Sequence, residues 1–239
     1  LKAMGMGLRY EPAPELGWQL TADRLKDLRR VGEAMPHLAF QKQAAIETRK
    51  VLPLGESLIG FVGGPWTLFA YAVEGGHKGS LEGTKRALSL FRPFSEIIVP
   101  ILKENIRLQL EGGAEVVMIF DTAAGEISPQ VYRDHVVPTL QELARTYPKL
   151  LGYYAKGVTP GHLVDPLFHD PALWAGLGFD HRWELTDALA TYKTGFVQGN
   201  FDQAMLFMAP FESETQLLRY LEPLAKLPPE KRAGWVGGR

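Results

Sequence analysis

The chain of 239 residues carries 26 Lys and Arg against 27 Asp and Glu, for a net charge of −1, and 46% of it is hydrophobic. That balance leaves no global basic field for nucleic acid or an anionic membrane, and the length suits one sizeable core, so residues 1–239 are read as one domain. The absence of cysteine excludes disulfides and thiolate zinc sites and agrees with a reducing, cytoplasmic setting, and no apolar run approaches the roughly 18 residues of a membrane helix.

Short apolar runs alternate with longer amphipathic stretches. Strands are predicted at 7–10 (GLRY), 57–62 (SLIGFV), 115–120 (EVVMIF), 150–154 (LLGYY), 177–180 (LGFD), 195–198 (GFVQ) and 233–236 (AGWV). Helical periodicity fills the gaps. The stretch from 81 to about 111 contains Pro93 and Pro100 and is expected to be broken or kinked, ending at Gly112-Gly113. Residues 129–145 form a second helix, with Ser128 as N-cap and Pro129 in the first position. A third covers 212–226, with Leu217, Leu218, Leu221 and Leu224 on one side. The chain opens LKAMGMG and stops at WVGGR, directly after a predicted strand. It is therefore expected to be a piece of a longer polypeptide.

Strands alternating with helices mean βαβ units and a parallel sheet. A doubly wound sheet would normally carry a glycine-rich nucleotide fingerprint; GFVGGP is not one, and no Walker A pattern occurs. An eightfold α/β barrel with one unit missing fits the strand count. In such a barrel the site lies at the C-terminal ends of the strands. There the sequence places Gly63-Gly64-Pro65, Asp121-Thr122, Lys156-Gly157, Asp180-His181-Arg182, the run Gln198-Gly199-Asn200-Phe201-Asp202, and Gly237-Gly238-Arg239.

Each of these also has an ordinary structural explanation. Asp121 can cap a turn, Asp180 and Asp202 can cap helices, Lys156 can be a solvated loop residue, and Tyr71 can be an aromatic on a buried helix. Trp66 and Phe69 are read as packing. His77 and His181 stand alone, without metal-ligand spacing, so no metal is expected. It is the repetition at successive strand ends that favours a pocket. Its candidates are Gly63, Gly64, Pro65, Asp121, Lys156, Gln198 and Asn200.

Four segments fit one family. GFVGGPWTLFAYAVEGG at 60–76, GGAEVVMIFDTAAGEISPQVY at 112–132, YYAKGV at 153–158 and GFVQGNFD at 195–202 resemble, in order and at familiar spacing, segments of the uroporphyrinogen decarboxylases. The resemblance covers nearly the whole chain. It implies a (β/α)8 TIM barrel, incomplete here because the first β/α unit and the final helix are absent. It also implies a homodimer that decarboxylates the four acetate arms of uroporphyrinogen III to give coproporphyrinogen III, with no metal and no organic cofactor.

By that resemblance Tyr71 falls on the family's pocket tyrosine and Thr122 on its pocket serine, which makes both substrate-binding. Ala123 replaces a larger Trp or His, Asp180-His181 stands for Asp-Trp, and Gln203 stands for Pro, which marks a divergent member. The family's catalytic aspartate would lie upstream of Leu1, its arginine segment has no counterpart, and its G-H-G histidine would follow Arg239. The 239 residues alone are therefore expected not to turn substrate over. Two alternatives remain: a corrinoid- or thiol-dependent methyltransferase of the related barrel family, and a non-catalytic tetrapyrrole binder. A sugar- or phosphate-binding barrel ranks below them.

Overall fold

A computed structural model of the chain describes residues 1–10, 15–76, 79–193 and 195–236. A short antiparallel ribbon, β1 (Leu8–Arg9) against β2 (Glu15–Leu16), comes first, followed by α1 (Val31–Ala34) and α2 (Phe40–Val51). Then come six parallel strands, hydrogen-bonded in chain order: β3 (Ile59–Gly63), β4 (Val116–Asp121), β5 (Leu151–Ala155), β6 (Trp174–Gly178), β7 (Phe196–Gln198) and β8 (Trp235–Val236). Between β3 and β4 lie α3 (Pro65–Glu74), α4 (Glu82–Arg86) and α5 (Phe91–Glu111). Between β4 and β5 lie α6 (Pro129–Val131), a π-helical turn at Tyr132–Val136 and α7 (Val137–Thr146). A 3-10 turn at Pro166–His169 joins β5 to β6, α8 (Leu185–Thr191) joins β6 to β7, and α9 (Pro210–Lys226) with α10 (Pro229–Arg232) joins β7 to β8.

The strand order never reverses, which distinguishes this sheet from a doubly wound one. Among the described residues it is a TIM barrel in incomplete form, with six parallel strands where the closed barrel has eight, and β3 and β8 do not pair.

The predicted segment 7–10 is not a strand of this sheet. It pairs antiparallel with residues 15–16 over two residues. A barrel strand is buried on both faces and reads as a near-continuous apolar run; GLRY, with Arg9 in its middle, cannot be one.

The other six predictions fall on barrel strands, with shifted ends. Their outer face packs beneath helices: Val117, Ile119, Leu151, Tyr153 and Leu177 are buried together with Ile98, Leu102 and Ile106 of α5. On the inner face large side chains sit against glycines. A Cβ on Gly152 would collide with the Met118 sulfur, one on Gly176 with the Phe196 ring, and one on Gly178 would press on Tyr154. Interleaving large and absent side chains fills a narrow barrel interior. Near the open edge, Phe61 is 67% exposed.

The helix predictions need two corrections. The stretch 81–111 is broken as expected, but at the 3-10 turn Leu88–Leu90 rather than at a proline, and α5 runs unbroken through Pro100. Pro93 lies in its first turn, where a missing N–H costs nothing, and Pro100 is exposed, so water can reach the carbonyl that its ring orphans. In α9, Leu217 and Leu218 are exposed, whereas Tyr220, Leu221 and Leu224 pack inward. The inward stripe follows the helical spacing 220, 221, 224. Ser128 does cap its helix, its hydroxyl accepting from Val131 N–H at 3.3 Å, with Pro129 next.

Candidate functional site

The C-terminal ends of β3, β4, β5 and β6 build the candidate site. From β3 the chain turns at Gly64, whose N–H donates to the Phe120 carbonyl at 2.7 Å, and Pro65 opens α3. One face of α3 is bolted down by aromatic packing: Trp66 lies 5.6 Å from Phe69 and 5.4 Å from Phe91, ring centre to ring centre, and Phe69 lies 5.5 Å from Phe94. Each such pair contributes about 0.5–1.5 kcal/mol beyond its burial. The opposite face, carrying Leu68 and Tyr71, is thereby turned toward the barrel mouth.

The two glycines, pocket candidates by sequence, have their missing side-chain space taken up from within the chain. A Cβ on Gly64 would collide with the Asp121 carboxylate, and one on Gly63 would come within 2.9 Å of Leu68. They make room for the chain's own side chains, although Gly63 also lines the larger hollow described below. Pro65 is buried as the first residue of α3.

Asp121, expected among the pocket residues, is fully buried on the outer face of the sheet. Its Oδ1 accepts from the Thr67 N–H at 2.8 Å and the Thr67 hydroxyl at 2.6 Å. Its Oδ2 accepts from the Tyr153 hydroxyl at 3.3 Å, which in turn accepts from Tyr132 at 2.7 Å. Asp121 thus caps α3 from across the loop. Burial raises it to about 6 despite the bonds from Thr67 and Tyr153. Burial also pushes both tyrosine hydroxyls well above their ordinary range. The Thr67 hydroxyl accepts from Ala123 N–H at 3.0 Å, and the Ala123 carbonyl accepts from the Trp66 indole at 3.2 Å. With Asp121 and Ala123 held down, Thr122 stands exposed between them.

Asp180, at the end of β6, organises the next two loops. Its Oδ2 accepts from Gly157 N–H at 2.6 Å and from the Arg182 guanidinium at 2.7 Å, and its Oδ1 accepts from Arg182 N–H at 2.9 Å. Burial alone would raise this carboxyl, but those N–H donors and the arginine charge outweigh it and hold it below its usual value. The Lys156 carbonyl accepts from Gly125 N–H at 3.0 Å. The two loops pass so closely that a Cβ on Gly125 would overlap the Gly157 backbone.

Two hollows result. One, of about 460 Å3, is mostly apolar and is walled by Leu8, Leu16, Phe61, Leu68 and Phe120. The other, a cleft of about 120 Å3, holds Glu126, Lys156 and Arg182 beside Leu81 and Ala123. Tyr71 and Thr122 line both and form the ridge between them.

Gln198 and Asn200 line neither. Gln198 shares the inner pleat of β7 with Phe196, and its carbonyl accepts from Phe179 N–H at 2.9 Å. Asn200 donates its side-chain amide to the carbonyls of Asp180, at 2.9 Å, and Trp183, and faces a separate cavity of about 350 Å3 beneath α9. It locks the loops rather than reaching the ridge, because the turn after β7 carries it outward. Asp202 caps the following turn, as its ordinary reading has it. His77 and residues 237–239 lie outside the described residues.

In the sequence Arg182 stands among the strand-end residues but not among the pocket candidates, and neither Glu126 nor the Thr67–Asp121 pairing is singled out. Arg182 follows Asp180 by two residues, the spacing of an Asx turn, which was a readable signal. Thr67 and Asp121 are 54 residues apart and left none. Among the described residues no group of His, Asp and Glu could hold a metal ion.

Comparison with known proteins agrees with this architecture. The solved structure of a methyltransferase from Methanosarcina mazei superposes with a TM-score of 0.61 at 16% identity, over 94% of this chain and 77% of that one, which speaks for a shared fold. The uroporphyrinogen decarboxylase of Chloroflexus aurantiacus is 36% identical over 186 residues, 70% of this chain and 49% of its own length. That of Streptomyces avermitilis is 30% identical over 234 residues, 95% and 65% respectively, and that of Bacillus subtilis is 31% identical over 199 residues, 79% and 54%. The chain thus spans about half to two thirds of the length of these relatives. A family model described as uroporphyrinogen decarboxylase (URO-D) matches residues 1–230, which include the ridge, both hollows and every strand from β3 to β7. On that match, the chain belongs to the uroporphyrinogen decarboxylase family.

Proposed function

We propose that the protein decarboxylates the acetate arms of uroporphyrinogen III to give coproporphyrinogen III, and that this chain supplies the wall on which the macrocycle lies. The observation that carries the reading is the ridge of Tyr71 and Thr122, with an apolar hollow on one side and a charged cleft on the other. A flat apolar ring edged with carboxylates calls for that division. The family membership supports it.

Loss of CO2 from a pyrrole acetate breaks a C–C bond, and the electron pair needs a destination. Protonating the ring carbon next to the one that bears the acetate makes the ring that destination. After CO2 leaves, the methylene carbon takes a proton and the ring carbon gives one up. Each acetate thus becomes a methyl group, with one proton consumed and one CO2 released. Enzyme rate enhancements correspond to about 8–23 kcal/mol of barrier, so several effects have to act together. In this reading the apolar hollow lowers the local dielectric around the cationic ring, which strengthens every charge aimed at it. The hydroxyls of Tyr71 and Thr122 orient the arms from the ridge.

Binding to this wall and turnover are read separately. Anaerobic titration with uroporphyrinogen III, followed by oxidation and chromatography of the porphyrins, measures both. Saturable binding that weakens in Tyr71→Phe is the expected result; no binding would refute the reading. Methyl transfer from a methylated corrinoid, without porphyrin binding, would favour the methyltransferase alternative. The proposed assembly is a homodimer, which light scattering on the eluting protein tests.

A further inference from the structure

We infer that Arg182 and Lys156 form a carboxylate subsite that takes a single arm of the ligand, with Glu126 opposing it; as regards a tetrapyrrole arm, this rests on the function proposed above. The cleft holding both cations, at about 120 Å3, is far smaller than the neighbouring hollow of about 460 Å3. Ligand pockets typically run to about 300–1,000 Å3. The hollow is therefore of a size for a ring system, and the cleft for one carboxylated arm reaching over the ridge.

The second observation is that one carboxylate positions both cations. Asp180 binds the Arg182 guanidinium and also the Gly157 N–H, next to Lys156. The Lys156 carbonyl is held in turn by Gly125. Lys156 and Arg182 therefore reach the cleft from loops clamped to the same buried group. Arg182 keeps donors to spare: the guanidinium has five N–H groups, its side chain is 52% exposed, and the Asp180 contact is made through one terminal nitrogen. Lys156 joins no ion pair among the described residues. A planar fork beside a point charge, at the rim of an apolar hollow, suits a carboxylate.

Glu126 lines the same cleft and gives the inference a sign that a purely structural role would not produce. Removing either cation weakens the ligand, whereas removing Glu126 strengthens it. The test titrates the chain with uroporphyrin III, by quenching of tryptophan fluorescence, and with benzene-1,3,5-tricarboxylate, a small polycarboxylate without the macrocycle, by saturation-transfer NMR. Arg182→Gln and Lys156→Gln are each expected to weaken uroporphyrin binding roughly fivefold to tenfold and to flatten its salt dependence, and Glu126→Gln to tighten it about twofold. Lys156→Gln leaves the Asp180 clamp intact, so it separates loss of a ligand contact from a loosened loop.

If the parent chain binds uroporphyrin and all three variants stay within about twofold of it, the subsite is wrong and the tetrapyrrole reading stands. If the tricarboxylate binds in an Arg182-dependent way while uroporphyrin does not bind, the subsite stands and the tetrapyrrole reading falls. If neither probe binds, both are overturned.

Discussion

Asp121 sits where water does not reach it, and burial lifts its carboxyl from 3.8 to about 6. Because the folded value lies above the unfolded one, the folded chain holds this proton more tightly. The contribution to stability is full below about 3.8 and is lost as the pH rises through about 6. The gap corresponds to roughly 3 kcal/mol. In Asp121→Asn the amide oxygen still accepts from Thr67, and the hydroxyls of Tyr153 and Tyr132 can reverse their donation. Urea unfolding at a series of pH values is expected to show a flatter stability profile between about pH 4 and pH 6 in this variant; an unchanged slope would mean that Asp121 is not the group responsible. Thr122 is the opposite case, exposed on the ridge. Thr122→Val is expected to change stability by less than about 0.5 kcal/mol while weakening porphyrin binding several-fold. A calorimetric scan paired with the quenching titration checks both halves. That these two neighbours face opposite ways was not readable from the motif FDTAAG. Strand alternation allows either phase, and Thr67, far along the chain, sets which one holds.

At the scale of elements, the turn from β3 into α3 is a close fit rather than a flexible hinge. Gly64 leaves the space that the Asp121 carboxylate fills. Gly64→Ala is expected to cost about 1–3 kcal/mol through overpacking, read as a lowered midpoint in thermal unfolding. Ser128→Ala removes the cap of α6 and is expected to cost about 1 kcal/mol by the same measurement. The glycines of this turn were visible in the sequence, but their purpose was not. Glycine beside a predicted site reads equally as room for a ligand or room for a neighbour, and only the position of Asp121 decides. The apolar runs behind β3, β4 and β5 were legible because a buried parallel strand needs near-continuous apolar sequence. Pro100 was misleading because it lies on the exposed side of α5, where water can reach the carbonyl that its ring frees.

Over the whole molecule, charge is nearly balanced and most ion pairs lie at the surface, among them Lys42 with Glu111, Lys50 with Glu47 and Lys226 with Glu222. Exposed pairs contribute about 0–1 kcal/mol each and are screened by salt. Raising the salt from about 0.05 to 0.5 M is expected to leave the unfolding midpoint nearly unchanged while weakening uroporphyrin binding markedly, since the ligand carries its carboxylates into a cleft of fixed cations. Parallel thermal and binding titrations distinguish the two. No helix among the described residues is long and apolar enough to cross a membrane.

The six parallel strands in their chain order, the barrel class and the family were carried by the sequence itself, because apolar periodicity and short motifs are local properties of the chain. The tertiary structure decided which strand-end residues share a space. It joined Tyr71 and Thr122 in one ridge, drew Lys156 and Arg182 together through Asp180, buried Asp121 and turned Asn200 away. Those outcomes depend on hydrogen bonds between residues distant in the chain and on the phase of each pleat, and neither is encoded by residue type or spacing alone.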